Sequence, residues 1–193
     1  MTPLPFVWPY AVPFWAVMVW SMWPEFGIVR RAQRSHTVTD AKSLHVILFG
    51  LQLAMLLAFA LAWVPALQIA GRRVAVFVVG VVLIVAGSLL RRHCWRMLGA
   101  SFTGDVRARS DQPVITRGAY AVLRHPSYTA AIVMNTGMGI ALGSWASALI
   151  LIVASFIVYT YRMVVEERAL LAAIGMPYQE FMRTRKRVIP FVY

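Results

Sequence analysis

The sequence predicts an all-α integral membrane protein with about five transmembrane helices. Three observations lead there. Of 193 residues, 60% are hydrophobic and only 13% charged, whereas a soluble domain carries about a quarter charged residues. Five apolar stretches each approach the ~20 residues a helix needs to cross the hydrocarbon core. The 19 Lys and Arg, against 7 Asp and Glu, gather between and after those stretches.

Taken in order, the first stretch covers about 10–29, is rich in Trp and Phe, and is interrupted by Pro13 and Pro24. The second, 44–66, is the cleanest. The third, 74–90, is dense in Val and Ile and can continue as a helix through 91–98. The fourth and fifth, about 128–142 and 146–161, are joined by Gly143-Ser144-Trp145, a link that fits only a tight helical hairpin. Gly137, Gly139 and Gly143 are small residues at spacings that let helices approach closely, and simple helix packing is the expectation for them.

The charges orient this array. With the N-terminus outside, the cytoplasmic segments are 30–43 (Arg30, Arg31, Arg34, Lys42), 91–127 (Arg91, Arg92, Arg96, Arg107, Arg109, Arg117, Arg124) and 162–193 (Arg162, Arg168, Arg183, Arg185, Lys186, Arg187). They hold 17 of the 19 basic residues, leaving Arg72 and Arg73 on the far side. The positive-inside rule therefore predicts an outside N-terminus and a cytoplasmic C-terminus, with the basic rim against anionic lipid. A net charge of +12 otherwise suggests a nucleic-acid-binding domain, but such a domain needs a soluble body. Disorder needs low hydrophobicity. A lone Cys94 excludes an intramolecular disulfide and a cysteine-built metal site, and no metal is expected. Residues 1–24 lack Lys and Arg, so no secretory signal peptide is expected. The chain reads as one membrane domain, with a three-helix region over 1–97 and a second region over 98–193.

Polar residues within the spans are few (Gln52, Asn135, some Ser and Thr), so the chemistry is sought in two polar blocks on the cytoplasmic side. One runs from Gln112 through Pro113, Val114 and Ile115 to Gly118, Tyr120, Arg124, His125, Pro126, Ser127 and Tyr128. The other begins at Arg162 and includes Glu166, Glu167, Gly175, Pro177, Tyr178 and Phe181. On a helix Arg162 and Glu166 are i and i+4 and share a face. Glu167 points about 100° away, so the two carboxylates need not do one job. Gly175 followed by Pro177 reads as a helix end and a new start, and Tyr178, Phe181 and Met182 make an apolar stripe that turns the last helix toward the core.

Each feature has a plain structural reading. An Arg-His-Pro tripeptide fits an interfacial anchor, paired glutamates a solvated face, and Arg162 a side chain snorkelling to headgroups. His36, His45 and His93 have no partner at metal-ligand spacing, and Cys94 reads as a small buried hydrophobe.

Together, however, the two blocks resemble the isoprenylcysteine carboxyl methyltransferase family of integral membrane enzymes. The pattern is carried here by Gly118, Tyr120, Arg124, His125, Pro126 and Tyr128, then a helical hairpin, then Arg162, Glu166, Glu167, Leu170, Gly175, Tyr178 and Phe181. It spans about 98–190, half the chain, and makes 98–193 the methyltransferase-like catalytic region. The resemblance implies methyl transfer from S-adenosylmethionine at the membrane surface. It implies a cytoplasmic-side cofactor site formed by the loop before the fourth helix and the C-terminal helical segment. The implied cofactor contacts are Gln112, Pro113, Val114, Ile115, Tyr120, His125, Pro126, Ser127, Tyr128 and Glu166. Arg162 takes the place of a substrate-contacting arginine, and Arg162 with Glu166 forms the catalytic pair. The family commonly has His where this chain has Gln112, in a segment whose contacts can be made by backbone groups. The segment 98–103 also resembles the family's approach to this loop, and Asp105 lies near a further family contact.

The expected acceptor is a carboxylate on a lipophilic small molecule or lipidated substrate. Membrane lipids are expected as neighbours and nucleic acid is not. An α-carboxyl group, with pKa about 3.5, is ionised at neutral pH and needs no general base. Rival expectations are a phospholipid or amine N-methyltransferase, a membrane reductase of the sterol type using NADPH, and a non-enzymatic membrane scaffold.

Overall fold

The computed structural model describes residues 1–34, 41–99 and 111–190. Arg107, Arg109, His36, Asp105, the 100–103 segment and the side chains of Arg30, Arg31, Arg34 and Lys42 lie outside that description. Helices α1 (Ala11–Arg34), α2 (Ala41–Leu61), α3 (Arg73–Leu98), α4 (Pro126–Ala141), α5 (Trp145–Ile174) and a short α6 (Met176–Thr184) account for nearly all regular structure. Among the described residues there is no strand, only the isolated bridges Gln68–Ser144 and Leu123–Lys186.

The helices stand where the apolar stretches predict them, but α1 runs on to Arg34, α2 stops at Leu61 short of the expected 66, and two others run further. The third continues to Leu98, and α5 crosses from the fifth stretch into the second polar block without a break. Three described helices are long and apolar enough to cross a membrane: Ser43–Leu61, Arg73–Leu98 and Trp145–Ile174. At 16 residues, α4 rises only about 24 Å, and it lies between α3 and α5 with most of one face covered.

Small residues make that burial possible. A Cβ placed on Gly80 of α3 would meet the backbone of Ala141 at 2.3 Å, and one on Gly137 of α4 would meet the Gly80 carbonyl at 2.7 Å. Gly139 is equally close to Ala148 of α5, at 2.4 Å. The hydrocarbon solvent supplies no hydrophobic drive between helices, so this close approach is what holds α3, α4 and α5 together. Gly143 departs from the packing expectation: a Cβ there would meet nothing within 4 Å, and the residue instead takes φ +73 in the hairpin turn, a conformation costly for residues with a Cβ. There Ser144 caps α5 by accepting a hydrogen bond from the Ser147 amide at 3.2 Å.

Helix α2 packs on α5, where the Ser147 hydroxyl donates to the Ala58 carbonyl at 2.6 Å. Helix α1 packs on α3, with Phe14, Met18 and Phe77 joining the core. Outward faces remain apolar, as at Phe49, Leu53, Val82 and Ile157, which suits a lipid-facing surface. At one end, exposed Trp8, Trp63 and Trp145 gather near the turns, in the manner of an interfacial aromatic belt. At the other end lie the two polar blocks.

Gly80→Ala should therefore lower stability by about 1–3 kcal/mol through overpacking. Gly27→Ala, whose Cβ would meet nothing within 4 Å, should leave stability within about 0.5 kcal/mol. Unfolding of both variants in detergent checks this.

Candidate functional site

The site is assembled where the chain enters α4 and where α5 leaves the apolar layer. A short 3-10 turn, Gly118–Ala121, follows the extended segment that contains Gln112, Pro113, Val114 and Ile115 and buries Tyr120. That segment is half-buried except at Pro113, which is exposed. His125 then precedes α4, with Pro126 in its first turn, where a missing N–H costs nothing. His125, Pro126 and Ser127 are all buried.

The two glutamates take separate partners, as their angular offset predicts. The Tyr128 hydroxyl donates to Glu166 Oε2 at 2.7 Å. The Arg162 guanidinium, one helical turn before Glu166, approaches that same hydroxyl and donates to Ser43 Oγ at 2.5 Å. His125 stacks on Tyr128 with ring centroids 5.5 Å apart, and Tyr128 stacks on Tyr159 at 5.1 Å. Tyr120 faces the same region: burial first, then Cys94 and Glu166, push its phenol well above the ordinary tyrosine value. It is a neutral donor at any physiological pH. Thus Tyr120, His125, Tyr128, Arg162 and Glu166 converge, while Ser127 points its groups toward α3. For Gln112, Pro113, Val114 and Ile115 the fold places the backbone just ahead of the Tyr120 turn.

Glu167 is only 4% exposed and is met from three directions by two arginines and a histidine. Arg124 Nη1 lies 2.9 Å from Oε1, His125 Nε2 lies 3.1 Å from the same oxygen, and Arg187 Nη2 donates to Oε2 at 2.8 Å. The backbone follows the charges. The Arg124 amide donates to the Lys186 carbonyl at 2.8 Å and the His125 amide to the Arg187 carbonyl at 3.0 Å. Thr129 Oγ1 donates to the Val188 carbonyl at 2.8 Å. Helix α6 closes this end by burying Tyr178 and Phe181, and burial followed by the charges of Glu166 and Glu167 raises the Tyr178 phenol above its ordinary range.

Several plain readings of single residues give way. The glutamates are not a solvated face, since Glu167 is buried and Glu166 half-buried, and Arg162, 4% exposed, does not snorkel to headgroups. Cys94 is a buried hydrophobe, as expected. Missed from sequence were Ser43, Tyr159, Arg187 and the pair Glu25–Arg91. Only Glu25 carried a signal, as an acid inside an expected span.

The helical architecture with one polar end is an all-α fold of the membrane-spanning type. A solved structure of the eukaryotic intramembrane Ras methyltransferase ICMT superposes on 91% of this chain and 64% of its own, with TM-score 0.67 and 24% identity. Residues 78–172, just under half of the chain, match the model of the isoprenylcysteine carboxyl methyltransferase (ICMT) family. The chain is 29% identical over 115 residues to protein-S-isoprenylcysteine O-methyltransferase B of Arabidopsis thaliana, covering 58% of each. It is 28% identical over 108 residues to the Schizosaccharomyces pombe protein-S-isoprenylcysteine O-methyltransferase, covering 55% of this chain and 46% of that one. The matches thus span about half the length of these relatives. The matched stretch begins within α3 and ends in α5, so α6 and the tail at Arg187 lie beyond it.

Glu167→Ala should leave two arginines and the His125 ring without their shared buried partner and cost about 3–5 kcal/mol. Arg187→Ala, at a quarter-exposed side chain, should cost about 1 kcal/mol or less. Thermal unfolding, with trypsin cleavage of the tail as a second reading, ranks the two.

Proposed function

We propose that this protein is a membrane carboxyl O-methyltransferase that uses S-adenosylmethionine and acts on a lipophilic carboxylate. The observation that carries the reading is the meeting of Arg162, Tyr128 and Glu166 beside a stack of aromatic rings. It is supported by the family of residues 78–172 and by the relatives, which are named for methylating isoprenylcysteine. An isoprenylated cysteine carboxylate is accordingly the first acceptor class to test.

The donor set suits S-adenosylmethionine. Glu166 is a half-buried anion able to offset a sulfonium charge, and Tyr120, His125 and Tyr128 offer flat apolar faces and hydroxyl donors for an adenosyl group. Gln112, Pro113, Val114, Ile115, Pro126 and Ser127 complete the proposed cofactor contacts. When bound, the cofactor supplies an activated methyl group on sulfur. The protein's own task is then to orient and to exclude water. Arg162 holds the acceptor carboxylate with its planar fork. Its burial removes bulk water from the pairing, where a charge interaction is stronger. Glu166 and Tyr128 hold the cofactor side in line with it. No side chain need take a proton, because the acceptor is already ionised.

The orientation that goes with this reading is an outside N-terminus, with the site and C-terminus cytoplasmic, as 17 of 19 basic residues favour. The domain reading is likewise a single membrane unit with the catalytic region over 98–193.

Arg162→Ala and Glu166→Ala should each lower turnover by about 100-fold or more while unfolding in detergent stays near that of the parent. Purified protein is incubated with methyl-labelled S-adenosylmethionine and a panel of prenylated thioether acids, fatty acids and amino lipids. Transfer to amines alone would replace the carboxyl reading with N-methylation. Calorimetry showing binding of NADPH but not S-adenosylhomocysteine would replace it with a reductase. Binding of neither would leave a scaffold.

A further inference from the structure

Arg91 stands apart from the site yet joins three helices. It lies on α3, where its guanidinium pairs with Glu25 of α1 through two contacts, Nε to Oε1 and Nη2 to Oε2 at 3.1 Å. The remaining corner, Nη1, donates to the Ser127 carbonyl at 2.9 Å and to Ser127 Oγ at 3.2 Å. The guanidinium carbon also sits 4.8 Å from the Trp95 ring centre. Both partners are largely shielded, with side chains 12% and 22% exposed. A shielded ion pair between helices carries a desolvation cost that its own attraction often only offsets, so it is weak evidence for a purely stabilising role. Packing between α1 and α3 does not call for it, because Phe14, Met18 and Phe77 already supply apolar contact there.

Ser127 is the point of leverage. It is the residue before Tyr128, in the first turn of α4, and buried. Whatever sets the position of Ser127 sets the direction of the Tyr128 ring, and with it the 2.7 Å bond to Glu166. The planar fork of arginine allows one edge to be held by Glu25 while the other corner holds Ser127. A lysine ammonium cannot do both in a fixed geometry.

We infer that Arg91 is a positioning residue for the cofactor side of the site: held by Glu25, it fixes the start of α4 and so places Tyr128 against Glu166. This rests on the methyltransferase reading above. It gives the N-terminal region, outside the family-matched stretch, a part in the site. Glu25 contributes by orienting Arg91 and touches no reactant.

The test is equilibrium binding of S-adenosylhomocysteine, with KM for cofactor and for acceptor, on the full chain in detergent. Arg91→Lys is expected to weaken S-adenosylhomocysteine about 10- to 100-fold, as misplacement of a binding group does, and to leave acceptor KM within about twofold. Glu25→Gln, an isosteric change, is expected to weaken binding in the same direction, and to add less than about twofold when placed on Arg91→Lys, because the two act through one contact. Should Arg91→Lys not fold, Glu25→Gln alone decides by the same split. Unchanged affinity in the folded variants, an equal loss on cofactor and acceptor sides, or independent multiplication of the two effects overturns the inference. A parent protein that binds no S-adenosylhomocysteine overturns the methyltransferase reading along with it, whereas a binding parent with unchanged variants overturns this inference alone.

Discussion

A carboxylate buried at the polar end of the bundle sets the order of everything near it. Glu167 sits on α5, 4% exposed, where an uncompensated charge would be costly. Its compensation comes from Arg124 and His125 on the approach to α4 and from Arg187 on the tail. Those groups are 42 and 20 residues from it in sequence for His125 and Arg187. Satisfying one carboxylate therefore draws two distant segments onto α5, and their backbones pair alongside it. Tyr128 and Glu166 face each other as a consequence, each three residues or fewer from this junction.

Below that junction the constraint is closeness of backbones. Glycines on α3 and α4 let the two helices meet without intervening side chains, so the 16-residue α4 is gripped along its length. A helix held this firmly transmits the position of its first turn to the site with little slack. Arg91 acts on that first turn through Ser127, and Ser43 of α2 acts on Arg162. All of the first three helices or their neighbours thus reach the polar end, although only part of α3 lies in the family-matched stretch.

Much of this was legible in the sequence. Apolar runs of membrane length can only be helices in lipid, so five of the six helices follow from composition and turn residues alone. The i to i+4 relation of Arg162 and Glu166, and the offset of Glu167, follow from helical geometry. Gly175 ends α5 and opens α6 as its spacing with Pro177 implies. Gly143 carried two readings, hairpin link and packing face, and only the first holds, because in the turn backbone conformation decides. The Glu25–Arg91 pair was invisible because 66 residues separate its members, and no local period reports such a meeting.

By itself, then, the sequence determined a membrane-embedded helical chain, the approximate places of its helices, the segments in which its charges gather, and a set of residues resembling a methyltransferase site. Those properties depend on transfer of side chains into lipid and on spacing along one helix, both local. Tertiary structure alone decided which carboxylate is a structural hub and which faces Tyr128, that Arg162 is buried rather than spread toward headgroups, and that α1 reaches the site through Arg91. These depend on which helices touch, and in lipid that choice is made by small-residue packing and buried charge pairing between segments far apart in the chain.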